Sequence, residues 1–386
     1  MSTTTYGPSL SVGNISVSNT YESCDLISQA ASLAPSTANA PVIQQWLQKT
    51  TSAVTSSGQA PFWASTPYYT LSTVTGGAAA LALTRGIVVL PDGRVVFAPG
   101  YSSSGNIGIY NPVTNIYSSV TAVTGFWGAC LLPDGRVCFS PTAATVVGIY
   151  NPVTNAYSAP VTGLAAGRNK YNSAILGPNG KVYFTPWDDT NIGIFDPATS
   201  SFTTFSGVGT GGWYCSGCLH PNGNIYMPPN VATNIGIFNP ATNSFTTFSG
   251  ISIVSAAYSG ACVIPDGRIV FVPSNVTNIG IFNPATNSFT TFSGVGTGAT
   301  AYQQGCTLPD GRVVFARYSC TNIGIFNPVT NSFTTISGVN NAFWGCNVML
   351  DGRVIFGPDS SAQLGFLTGL PTSPPEFCLH PFFNRQ

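Results

Sequence analysis

The stretch Thr277 to Phe315, TNIGIFNPATNSFTTFSGVGTGATAYQQGCTLPDGRVVF, recurs along almost the whole chain, and this recurrence limits the fold more than any other feature. Its closing element, PDGR ahead of an apolar run, returns at Pro91, Pro133, Pro265 and Pro309, with PNGK at Pro178, PNGN at Pro221 and LDGR at Leu350. Seven copies at this spacing are what a set of four-stranded propeller blades requires. An array of repeats that closes on itself makes one large domain without a conventional single core.

Each copy reads as four strands. In the sixth, AYQQGCTL passes through PDG into RVVFARY, then NIGIFN, an Asn-Pro-Xaa-Thr-Asn turn, and SFTTIS. The turns have the chemistry of tight hairpins: Pro presets a negative φ, Asp or Asn bonds back to the backbone, and Gly or Asn tolerates a positive φ. The last copy lacks its outermost strand, and PYYTLSTVTGG, ahead of the first copy, matches SFTTFSGVGTG. The sequence therefore predicts an all-β, closed seven-bladed propeller of four-stranded antiparallel blades. Its seventh blade is completed from both ends, Tyr68 to Ser72 beside Gln363 to Leu367, which hides the edges of an open array.

Outside the repeats the pattern changes. TYESCDLISQAASLA and PVIQQWLQKTTSAV carry apolar residues at helical spacing and predict two short helices, each in need of a docking surface on the propeller or another subunit. The expected organisation is an N-terminal arm at 1–66, the propeller at 67–369, and a Pro-rich, aromatic C-terminal tail at 370–386 that anchors on the surface.

Charged residues make up only 6% of the chain, against roughly 25% in an average soluble protein. Lys plus Arg equals Asp plus Glu at 12 each, so net charge predicts no steering toward nucleic acid or an anionic membrane. So uncharged a surface is expected to be covered by partners. No stretch is apolar enough to span a bilayer, and the N-terminus has neither the basic start nor the apolar core of a secretory signal, which predicts synthesis in the cytoplasm. Cys130, Cys218, Cys262 and Cys306 hold one repeat position and read as buried thiols, and the Cys215/Cys218 pair is read as part of a strand.

The Asp-Gly-Arg turns absorb five acids and five bases, from Asp92 and Arg94 to Asp351 and Arg353. Few ionisable groups are left for acid–base chemistry. Asp188 and Asp189 are adjacent and point apart in an extended segment, unlike the facing carboxylates of a glycosidase. No nucleophile elbow, P-loop, zinc spacing or calcium loop is present. Neither cofactor nor metal is expected.

Strand order places the PDG and Asn-Pro-Xaa-Thr-Asn turns on one uniform face and the remaining loops on a variable one. The variable face collects Trp187, Asp188 and Asp189 of the third copy, Arg317 and Tyr318 of the sixth, and Arg168 and Lys170 ahead of an inner strand. Entering the inner strands stand Phe126, Tyr171, Tyr214, Tyr258, Tyr302 and Phe343, expected to pack between blades. Trp127, Trp213 and Trp344 lie beside three of them and are candidates for a binding mouth.

The run NIGIFNPATNSFTT followed by PDGRVVF resembles the YVTN, NHL and virginiamycin B lyase class of propellers and, more loosely, kelch repeats. The resemblance covers about Pro67 to Gly369 and implies the propeller fold. Lyases of that class use a histidine, acidic residues and a divalent metal near the central channel. Here the sequence offers only His220, in a blade turn, and His380, so the catalytic set has no matching positions. Near-identical low-charge repeats are also similar to proteins of large DNA viruses. The expected function is a non-enzymatic interaction or structural subunit of a larger assembly, such as a virion, joined to protein partners through the arm and the variable face. A glycan-binding module and a lyase or hydrolase are the alternatives.

Overall fold

The computed structural model describes residues 10–12, 15–17, 69–75, 86–100, 105–209, 214–249, 251, 254–295, 301–337, 341–359 and 363–369. The two expected N-terminal helices and the C-terminal tail lie outside these residues. Ahead of Tyr69 the described part is a hairpin, Leu10–Val12 paired with Ile15–Val17. Among the described residues, no helix is long and apolar enough to cross a membrane.

Seven four-stranded antiparallel sheets form the blades. Blade 5 is representative, with inner strand Tyr258–Val263, second strand Ile269–Pro273, third strand Asn278–Asn283 and outer strand Ser288–Ser293. The first turn is built by the acid. In blade 1, Arg94 donates its backbone N–H to Asp92 Oδ1 at 3.0 Å and its Nε–H to Oδ2 at 2.8 Å, while Gly93 takes φ 89°. That left-handed angle is why glycine stands there. In the second turn Asn111 Oδ1 accepts the Val113 N–H at 3.0 Å and Asn115 takes φ 56°. In blade 3 Asp196 and Ser200 fill these two roles, and Asp196 also pairs with Lys181 at 3.3 Å.

Among the described residues, apolar clusters occupy all seven blade interfaces. Between blades 5 and 6, Val270, Ile279 and Ile281 pack on Tyr302, Phe315 and Phe326. The same split recurs between blades 7 and 1, where Ile355 and Leu364 meet Val95, Phe97 and Tyr110. The aligned aromatics Phe126, Tyr171, Tyr214, Tyr258, Tyr302 and Phe343 are buried in these interfaces, as packing between blades requires. The eight described cysteines are free thiols, and all but Cys320 are buried.

Blade 7 consists of Phe343–Val348, Val354–Pro358, Gln363–Thr368 and, outermost, Thr70–Thr75 from the start of the chain. Leu71 faces Leu367 and Thr75 faces Gln363, so the closing strand lies about three residues further along than the expected Tyr68 to Ser72. Closure is reinforced on the axis side, where Asn347 Nδ2 donates to Ile87 O at 3.1 Å.

Candidate functional site

The inner strands crowd the axis so closely that their backbones touch. A Cβ on Gly128 would lie 2.6 Å from Ser173 Cα, and one on Gly86 would lie 2.7 Å from Ala129 N. What remains of the channel is a cavity of about 80 Å³. Its wall is mainly Gly, Ala, Ser and Cys, with Gln304, Thr307 and Asn347 as its larger polar side chains. Among the described residues that line it there is no carboxylate or imidazole. A divalent cation held by a histidine and acids, as in the lyase class, therefore has no matching donor set in this channel. Among the described residues, no group of three or more His, Cys, Asp and Glu side chains could hold a metal ion.

His220 is built into the uniform face. Its Nδ1 accepts the Asn222 N–H at 3.1 Å, which leaves the proton on Nε2 to donate to Gly267 O of the next blade at 2.9 Å. It is a bracket between blades 4 and 5.

The variable face is different. Most inner strands carry a register shift just after the aromatic residue, for example between Tyr258 and Gly260 and between Tyr302 and Gly305. Polar side chains of the preceding blade bond the carbonyls there. Asn230 Nδ2 donates to Tyr258 O and Ser259 Oγ to Tyr302 O, each at 2.9 Å, while Ser140 Oγ donates to Tyr171 O at 3.0 Å. These buried caps rigidify the rim, and sequence reading passed over them because each satisfies a carbonyl of another blade.

Two aromatic pairs stand on this rim. Trp127 and Trp187 meet edge to face, with centroids 5.8 Å apart and planes at 81°. Tyr318 and Trp344 lie closer, at 4.6 Å and 39°. Trp127 and Trp344 are buried, and Trp187 and Tyr318 are half-buried. Backbone bonds fix the two loops: Trp187 N–H donates to Lys170 O at 2.9 Å and Tyr318 N–H to Ala301 O at 2.8 Å. Trp213 lies outside the described residues.

The charged candidates fall in two places. In blade 3, Lys170 is buried, its Nζ donates to Ala144 O at 2.9 Å, and desolvation lowers its pKa against the opposing pull of Asp189. Asp189 Oδ1 accepts from the Asn191 backbone N–H at 3.0 Å and from its Nδ2 at 3.1 Å. Arg168 and Asp188 are exposed beside them. In blade 6, Arg317 is buried and its pKa is lowered by desolvation. It holds a position that is Pro99, Pro141, Pro186, Pro229, Pro273 and Pro358 in the other blades. The position after it varies completely, and in blade 7 it is Asp359, a third buried charge, which sequence reading left out of the site. Comparing the copies column by column finds both residues.

No protein-family model matches the chain, and no curated protein matches it in sequence. Among solved structures it is similar to a streptogramin B lyase, at 17% identity and TM-score 0.69, over 79% of this chain and 99% of that one. It is similar to virginiamycin B lyase from Staphylococcus aureus at 16% and 0.67, over 78% and 99% of the two chains. It is also similar to the WD40 propeller domain of Doa1 at 16% and 0.63, over 81% and 100%. At such identities the likeness establishes the seven-bladed fold and carries no activity with it.

Proposed function

We propose that this chain is a non-enzymatic interaction propeller, a subunit of a larger assembly such as a virion, which binds a protein partner through its variable face. The observation that carries the reading is the gathering of departures from the repeat on that face. Arg317 displaces a proline and is followed by Tyr318, which pairs with Trp344, while across the ring Trp127 pairs with Trp187 beside Lys170, Asp188 and Asp189. Large aromatics and arginine are the side chains that dominate binding at protein interfaces. The Tyr171 phenol at that face, like the Cys218 and Cys262 thiols near the opposite ends of the inner strands, keeps its proton because burial pushes its pKa up, which suits packing rather than nucleophilic attack.

The test is the size and composition of native complexes, purified with the wild-type chain and with Arg317→Ala or Trp187→Ala. A complex that dissolves in the variants while the chain stays folded supports the reading. A monodisperse monomer in native material overturns it.

Glycan binding is a second reading, favoured by the half-exposed ring of Tyr318 lying across Trp344. Its test is a glycan array, with signal required from the wild type and lost in Tyr318→Ala.

A further inference from the structure

The uniform face carries an asymmetry that the interaction reading does not use. In blade 6 the third and outer strands end with Asn327 opposite Ser332, joined by an Asn-Pro-Val-Thr-Asn turn. The equivalent pair in blade 7 is Thr368 opposite Thr70, with Thr368 Oγ1 donating to Thr70 O at 3.1 Å. No turn joins them. The chain enters the propeller and leaves it at the place where the other blades reverse direction.

The turns in blades 6, 1 and 2, on either side of that exit, are apolar. They expose Val329, Val113 and Val153 at 86%, 88% and 90%. Blades 3, 4 and 5 carry Ala198, Ala241 and Ala285 at the same position. The outer strand of blade 1 adds Ile116, 60% exposed, where blades 3 to 6 have Ser. Repeat geometry demands no valine there, since alanine builds the same turn three times. The apolar set is an arc of neighbouring blades centred on the exit.

We infer that residues 377–383, Phe-Cys-Leu-His-Pro-Phe-Phe, dock on this arc. Beyond Gly369 the chain continues through a leader, residues 370–376, that holds Pro371, Pro374 and Pro375 and favours an extended path. Eight residues reach at most about 28 Å from Gly369 to Phe377, while blades about 10 Å apart where they pack fan outward, so a neighbouring outer turn is a larger step that this reach still covers. The turns of blades 6 and 1 are therefore within the tether's range. Phe377, Leu379, Phe382 and Phe383 supply the apolar side chains that the exposed valines and Ile116 lack. The short tether gives the segment an effective local concentration of order millimolar.

Hydrogen exchange of the full chain, read by mass spectrometry, tests the docking against a triple variant, Val113→Asp, Val153→Asp and Val329→Asp. In the wild type the amides of residues 377–383 should exchange at least about tenfold slower than in the free peptide. That protection should vanish in the variant while the inner strands keep theirs. Should the aspartates prevent folding, alanine at the three positions, the residue of blades 3 to 5, is read in the same way with a partial loss. Absence of protection in the wild type overturns the inference. So does protection that survives the substitutions, or protection seen only where light scattering reports more than one chain.

Discussion

Arg312, in the first turn of blade 6, bonds the hydroxyl of Tyr69 and places its guanidinium carbon 5.7 Å from the centre of that ring. Tyr69 immediately precedes the strand that completes blade 7, so one arginine latches the start of the propeller to its sixth blade. Arg312 and Asp310 form an ion pair at 2.6 Å, largely withdrawn from water. Arg312→Ala removes the latch and strands the carboxylate of Asp310. The expected loss is about 1–3 kcal/mol, read as a lower melting temperature and faster exchange of Thr70–Thr75. Unchanged exchange in that strand would show that the latch does not hold it.

Arg317 stands where six blades have proline, opposite Tyr302 in the same register as Pro273 opposite Tyr258. Arg317→Pro therefore suits the local backbone and withdraws a buried charge. We expect stabilisation of roughly 0.4–1 kcal/mol from the restricted unfolded chain alone, together with loss of partner binding. Destabilisation would mean that the arginine is structural.

Gly128 faces the backbone of Ser173 with no room for a methyl group. Gly128→Ala should cost about 1–3 kcal/mol or more, as overpacking does. Gly135→Ala is a different case: its turn offers open space around an added Cβ but holds φ 85°, so its cost comes from backbone strain alone. Denaturant melts of both variants compare crowding with strain. A Gly128→Ala protein as stable as wild type would contradict the tight axis.

Tyr171, Tyr214, Tyr258 and Tyr302 are buried, and burial raises all four phenol pKa values. A raised folded pKa means stability that is complete below the unfolded value near 10 and is lost as pH rises above it. Each such group can contribute a slope of up to about 1.4 kcal/mol per pH unit in that window. The buried thiols, also raised, begin to act from about pH 9. Melting temperature should fall steeply on the alkaline side, and Tyr258→Phe should flatten the fall. A flat profile to pH 11 would contradict these shifts.

The same burial governs thiol chemistry. Cys130, Cys138, Cys215, Cys218, Cys262, Cys306 and Cys346 should resist a disulfide reagent in the folded protein and react once it is unfolded, with half-buried Cys320 labelling first among the described cysteines. Rapid native labelling of Cys262 would be the contrary result.

Much of the architecture was legible because turn chemistry is local. Asp92, Gly93 and Arg94 build their turn within three residues, and Asn111 with Asn115 builds the other, so residue identity alone marked the hairpins from which the blades are counted. Pairing the two chain ends was also legible, because PYYTLSTVTGG repeats the outer-strand pattern; its register was not, since alternating Thr and Ser fit several alignments. The rim was least legible. The caps on Tyr258 O and Tyr302 O come from Asn230 and Ser259 in preceding blades, and no local pattern announces a contact across 28 or 43 residues. Trp127 and Trp344 look equivalent in sequence, yet one meets a ring from the following blade and the other a ring from the preceding blade.

The gap between Thr368 and Thr70 has a mechanical meaning. Force delivered through the segments that lead into Thr70 and out of Thr368 enters the propeller at one point, on the side of the repeat turns and away from the irregular loops. Replacing Thr368 by Asn, joining it to Thr70 through Pro-Ala-Thr-Asn and opening the ring at another blade would move the tether around the rim without touching a loop, so attachment point and recognition surface can be varied independently.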